Sequence, residues 1–123
     1  MNSLTITLPL PVKEVSQNSR CHFMTKARAT KEQRALAGVA CLKAWHGLMP
    51  FWERASFAVV AYFKTKRHPD PMNFIGSLKA TADGIEDAGI VANDSGLWPL
   101  RPVFATDKLN PRVVITITEE VAS

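Results

Sequence analysis

Three runs of alternating or β-branched residues, one near each end of the chain and one in the middle, constrain the fold more than any other feature. In "RVVITITEEV", Val113, Ile115 and Ile117 fall on one face of an extended strand and Val114, Thr116 and Thr118 on the other. Near the start, Leu4, Ile6 and Leu8 alternate with Thr5 and Thr7, and Pro9 and Pro11 end the run. The middle run, Ala55 to Thr65, "ASFAVVAYFKT", is rich in β-branched and aromatic residues and reads as a central strand.

Two helical stretches separate these runs. Thr30 followed by Gln33 resembles a capping box that opens a helix through "KEQRALAGVACLKAWHGL", with Leu36, Val39, Ala40 and Lys43 at helical intervals. Gly47 and Pro50 stop it. The preceding segment, Lys13 to Lys26, has no period and reads as a polar, basic loop. A second helix is predicted from Asn73, as N-cap, to Ala88, with Gly89 as its stop and Phe74, Leu78, Ala82 and Ile85 as its apolar stripe. Leu97 to Phe104 reads as an irregular strand, interrupted by Pro99 and Pro102 and therefore at an edge. The order β-α-β-α-β-β predicts an α+β fold, a small mixed or antiparallel sheet with two main helices packed on it.

A chain of 123 residues predicts a single domain over 1–123, and its 46% hydrophobic and 21% charged content is that of a globular protein. No apolar run approaches the roughly 20 residues that cross a bilayer, and "MNSLTITLPLP" lacks the basic start of a signal peptide. Cys21 and Cys41 form no CxxC pair and read as buried thiols of a reduced, intracellular protein. His22, His46 and His68 lack metal-ligand spacing, which argues against zinc. Trp45, Phe51 and Trp52 read as core or dimer-contact aromatics.

Charge is distributed unevenly. Residues 1–68 hold 11 Lys and Arg against 3 acids, and residues 69–123 hold 4 against 8, so +8 and −4 give the net +4. A basic surface concentrates phosphate polyanions, and clustered carboxylates recruit divalent cations. The boundary falls at "KTKRHPD". There Pro69 and Pro71 bracket Asp70, and Pro71 keeps Asp70 extended, just before the second helix. Asn73 follows within reach of the same ion, and Asp94 stands in the "VANDSG" turn after the helix. A 15-residue helix is about 22 Å long, so Asp70 and Asp94 meet only if the outgoing chain folds back, a distance that extended chain from Gly89 to Asp94 can cover. Lys79 and Asp83 lie four apart, either as a simple surface ion pair or as a phosphate-directed lysine oriented by its aspartate. Glu86 and Asp87, near the helix C-terminus, read as solvated surface. A purely structural alternative makes Asp70 a turn former and Asp94 a loop cap.

The succession Asp-x-x-Asn (Asp70, Asn73), Lys-Ala-x-x-Asp-Gly-x-x-Asp-Ala-Gly (from Lys79 through Asp83 to Ala88 and Gly89) and Asn-Asp-Ser (Asn93, Asp94) resembles the RusA-like Holliday-junction resolvases, including divergent phage and prophage members. The "SQNSRCHFMTKARATKEQR" stretch is similar to the family's Asn-containing, basic leading segment. The resemblance implies a homodimeric, Mg2+-dependent endonuclease, with Mn2+ as a substitute, that nicks four-way DNA junctions symmetrically in recombination and repair. It implies the cytoplasm of a bacterium or phage-infected cell, and no membrane partner. Carried over residue by residue, it makes Asp70 and Asp94 metal ligands, with Asn73 beside them, and Lys79 and Asp83 supporting catalytic residues. Arg20, Lys26, Arg28, Lys31, Lys66 and Arg67 would hold backbone phosphates. Two departures stand out: Met72 replaces the family's second aspartate, and Asn93 replaces the first acid of its paired turn. A thioether is a poor partner for Mg2+. The alternative is therefore a junction-binding protein with weakened or lost cleavage.

Overall fold

The structure, a computed structural model, describes residues 2–16, 20 and 22–121. Its sheet contains β1 (Ser3–Leu8), β2 (Ala55–Phe63), β3 (Leu97–Pro99), β4 (Val103–Thr106) and β5 (Arg112–Glu119). β5 lies between β1 and β2 and is antiparallel to both. The other edge of β2 is shared: Ala55–Phe57 pairs in parallel with β3, and Val60–Phe63 pairs in parallel with β4. The fold is thus α+β with a mixed sheet. The split between β3 and β4 falls on the prolines at 99 and 102, and Leu100 N still donates to Phe57 O at 3.0 Å.

The alternation seen in the sequence sets the buried face. Leu4, Ile6 and Leu8 of β1, Ala55, Phe57, Val59 and Ala61 of β2, and Val113, Ile115 and Ile117 of β5 are all buried. Each of the larger aliphatic or aromatic side chains contributes about 1.5–3 kcal/mol by leaving water. The helices cover this face with Ala37, Cys41, Phe74, Leu78 and Ile85.

α1 spans Phe23–Ala44, well before Thr30. His22, extended at φ −58° and ψ 139°, is its cap, its Nδ1 accepting from Met24 N at 3.2 Å. Thr30 lies inside the helix, and Gln33 turns inward, its Nε2 donating to Ser77 O and Thr81 Oγ1 at 2.8 Å each. The residues that α1 buries are Ala37 and Cys41, whereas Leu36 and Val39 stay exposed. Burial pushes the Cys41 thiol up to about 11. Cys21 lies outside the described residues. Trp52 is buried with Trp45 packed edge-on against it, and Phe51 is exposed.

The second helix is two helices, α2 (Pro71–Gly76) and α3 (Lys79–Asp87), separated at Ser77 and Leu78. Asp70, not Asn73, caps α2, its carboxylate accepting from the N–H groups of Met72 and Asn73, with Pro71 at the first helical position. α3 lies against α1 at Gly84. A Cβ there would stand 2.2 Å from the Arg34 carbonyl oxygen and 2.9 Å from the Ala37 Cβ. Arg34 closes the same contact with a two-pronged ion pair to Asp87, at 2.6 and 2.8 Å.

Because backbone cannot yield as a side-chain tip can, Gly84→Ala loses more by collision than the roughly 1 kcal/mol that alanine gains in helix propensity. A net destabilisation of about 2 kcal/mol is expected, a fall in melting temperature of about 8 °C, read by thermal circular dichroism.

Candidate carboxylate site at the start of the third helix

Lys79, Asp83 and Glu86 recur at i, i+4 and i+7 along α3 and so share one face of it. The opposite face, with Ala80, Thr81, Gly84 and Ile85, is buried. Beyond α3 the chain turns at Gly89, whose φ of +84° lies in the left-handed region. A Cβ at Gly89 would also meet the Phe51 ring at 3.0 Å and the Met49 Cβ at 3.1 Å. The return segment is extended beside Phe51 and Trp52: Phe51 N donates to Gly89 O, Trp52 N to Ile90 O, and Ala92 N to Trp52 O, each at 2.9 Å. Asn93 then caps a short turn over Asp94–Gly96, its Oδ1 accepting from Ser95 N at 3.0 Å. Gly96 fits there because any Cβ would lie 2.2 Å from the Glu53 carbonyl oxygen.

This path carries Asp94 back to the first turn of α3. Lys79 Nζ donates to Asp83 Oδ1 at 3.0 Å and also to Asp94 Oδ2. Asp83, Glu86 and Asp94 each offer an oxygen within 4.8 Å of the others, and all three are half-buried. The hydrogen bonds from Lys79 to Asp94, then to Asp83, raise the lysine's pKa above its ordinary value. The same bond to Lys79 holds the Asp94 carboxyl below the usual carboxylate range. A shallow hollow beside the pair is lined by Phe57, Ile75, Lys79, Ala82, Asp94 and Pro99.

The expected site residues divide accordingly. Lys79, Asp83 and Asp94 come together. Asp70 does not join them: its Oδ1 is engaged by Met72 N at 2.9 Å and Asn73 N at 3.3 Å at the head of α2. That helix head lies toward the C-terminal end of β2, where Phe74 packs on Phe63 and His68 stacks on Phe104 at 4.4 Å. Asp94 belongs to the other end, since Gly96 abuts Glu53 and Leu97 pairs with Ala55. The chain does fold back after the helix, but its return reaches Lys79 rather than Asp70. Asn73 is half-buried and lines a separate hollow with Val12, Pro69 and Ser77. Met72 is 84% exposed.

Glu86, read from sequence as solvated surface, is the third member of the cluster, and its three-residue spacing from Asp83 was the available signal. Asp87, read the same way, is the partner of Arg34. Of the basic set, Lys26, Arg28 and Lys31 lie on the first half of α1, Arg20 precedes it, and Lys66 and Arg67 follow β2. All are exposed except Lys26, which is half-buried, and the ion pairs found among the described residues involve none of them. Asn18, in the basic leading segment, lies outside the described residues. No helix among the described residues is long and apolar enough to cross a membrane.

The chemistry of the donor set fits a hard divalent cation: three carboxylates, close enough to share one ion and with no soft ligand among them. The fit has one condition, that the Lys79 ammonium, now hydrogen-bonded to two of the three acids, gives up its place between them.

No family model matches the chain. It is 33% identical over 117 residues to an uncharacterized protein of Xylella fastidiosa, an alignment covering 93% of this chain and 75% of that protein. With so much of both sequences in register, the chain belongs to the same family as that Xylella protein.

Proposed function

We propose that the chain is a divalent-cation-dependent endodeoxyribonuclease that nicks branched DNA, four-way junctions above all, acting as a pair of identical subunits. The observation that carries this reading is the convergence of half-buried Asp83, Glu86 and Asp94 with exposed Lys79 where the Asp94 turn meets α3. The exposed basic groups, and the likeness of residues 67–95 to the RusA-like resolvases, support DNA as the substrate.

Asp83, Glu86 and Asp94 would hold the cation, Mg2+ or Mn2+. Bound there, it would neutralise charge on a scissile phosphate and acidify a water. Lys79, released from Asp94, would turn its ammonium to the phosphate as negative charge grows on it. Asp83, one helical turn away, would keep that ammonium aimed. Arg28, Lys31, Lys66 and Arg67 would grip backbone phosphates, which gives affinity that falls with salt and little base preference.

A second reading, a junction binder that does not cut, is favoured by the same lysine. Lys79 already neutralises two of the three carboxylates, and Met72 adds no oxygen ligand.

Incubation with an immobile four-way junction and Mg2+ separates the two. Symmetric nicking that is lost in Asp94→Asn and Asp83→Asn supports the nuclease. Binding without cutting in either Mg2+ or Mn2+ supports the binder, and neither binding nor cutting overturns both.

Lys79→Met should tighten Mn2+ binding, measured by calorimetry, because the competing ammonium is gone, while reducing any nicking. The same variant should raise the Asp94 pKa, followed by carboxyl NMR, since removing the cation removes what favours the charged form. In the unaltered chain, the stability gained from this contact is present above the ordinary aspartate pKa of about 3.9. It is lost as pH falls through the lower, folded-state value of Asp94.

A further inference from the structure

Between α1, the start of α3 and the segment that follows β1 lies a cavity of about 90 Å3. Leu8, Leu78 and Val113, all buried, form its interior. Val12 and Leu36, about half exposed, and exposed Glu32 form its mouth. Gln33 and Thr81 supply the polar part of the wall. The Gln33 amide nitrogen is engaged, donating to Ser77 O and to Thr81 Oγ1 at 2.8 Å each. Its Oε1 is buried and accepts from none of the described residues. The amide cannot turn over to correct this, because Ser77 O only accepts and would then face a second oxygen. Pro9 and Pro11, which also line the cavity, have no N–H to give. A buried acceptor left in this way calls for a donor from elsewhere. Water answers poorly, since it needs two to four polar partners. Besides Gln33, the one polar side chain of the interior is Thr81, whose oxygen already accepts from Gln33.

We propose that this cavity is a small-molecule site for a five-membered N–H heterocycle, its N–H donating to Gln33 Oε1 and a cationic arm reaching Glu32 at the mouth. Size sets the ring: a cavity of about 150 Å3 holds benzene, so this smaller one suits a five-membered ring. Burial sets the charge. A charged donor among Leu8, Leu78 and Val113 would lose its hydration with one neutral acceptor in return, so the deep donor is neutral. The positive charge belongs at the mouth, where Glu32 takes part in none of the ion pairs found among the described residues. Apolar walls with a few convergent polar groups are the usual make-up of a ligand pocket. The site is separate from the carboxylate cluster: Thr81 lies on the buried face of α3, and Lys79, Asp83 and Glu86 lie on the other. It therefore stands whether or not the chain cuts DNA.

Pyrrole and furan share one shape, but only pyrrole carries an N–H, so the pair isolates the bond to Gln33. Each is titrated into the full chain and followed by methyl NMR at Leu8, Leu78 and Val113. Pyrrole should bind with a dissociation constant of about millimolar order, and furan about tenfold more weakly. Gln33→Met removes the acceptor and should erase that preference. Ala29→Leu puts a larger side chain into the cavity while leaving Gln33 in place, and should abolish the binding of both. Pyrrole bearing an aminomethyl arm should bind about threefold more tightly than pyrrole, an advantage that Glu32→Gln removes. Equal binding of pyrrole and furan to the unaltered chain overturns the proposal. So does a titration in which about 50 mM pyrrole, fifty times the expected constant, moves none of these methyl signals. Pyrrole binding that persists undiminished in Ala29→Leu overturns it as well.

Discussion

The approach of two backbones at Gly84 is the constraint on which the rest of this structure depends. With only a hydrogen at Gly84, the α3 backbone comes against the Arg34 carbonyl, and no larger residue permits that separation. The contact sets the rotation of α3 about its axis. Ile85 then points into the core and, on the other side, Lys79, Asp83 and Glu86 point to solvent. Gly89 continues the same logic one step later. Its left-handed turn sends the chain back along Trp52, so the length of the return decides which part of α3 Asp94 will meet. Two glycines, one needed for space and the other for its dihedral angle, thus assemble a carboxylate cluster in which neither has a side chain to offer.

The strands were readable because their period is simple and their burial follows it. Leu4, Ile6, Leu8, Val113, Ile115 and Ile117 lie inward as their alternation requires, and Pro99 and Pro102 mark an edge. The helices were legible in existence and not in detail. The start of α1 is hard to read because "FMTKARAT" buries none of its residues fully and half-buries only Lys26, Ala29 and Thr30, so no apolar stripe announces it, and its cap is a histidine rather than a residue of the common capping set. The break between α2 and α3 was marked only by Gly76, which a reading of the apolar stripe at Phe74, Leu78 and Ile85 overrides. That stripe is genuine: all three are buried, although the helix that carries them is interrupted.

The site was half legible, for an electrostatic reason. Spacing along one helix is a local property, so the Lys79–Asp83 pair could be read directly, and the arrival of Asp94 required only a return path. Asp70 illustrates the opposite case. An aspartate followed by proline at a helix start satisfies the orphan N–H groups of that helix through Oδ1, and the cap fixes Asp70 at the head of α2, away from the turn that carries Asp94. By position alone Glu86 reads as solvated surface, because a carboxylate in the last turns of a helix faces an unfavourable dipole. Lys79, two turns earlier on the same face, and the incoming Asp94 supply the context that a dipole rule leaves out.

Lys79 also explains how three acids can share one corner. Like charges so close disfavour each other's ionisation, and an ammonium hydrogen-bonded to Asp83 and Asp94 offsets that repulsion within the chain itself. The ammonium sits on a flexible stem, and the side chain is 65% exposed, so it can leave at small cost when a stronger cation or a phosphate competes. A guanidinium would suit this role less, since its planar fork would fix the acids in one geometry. Arg34 performs that fixing task on the neighbouring face, where its two-pronged pair with Asp87 locks α1 to α3. The division is a physical one: the rigid cation holds the helices together, and the mobile one guards the oxygens that the fold has gathered.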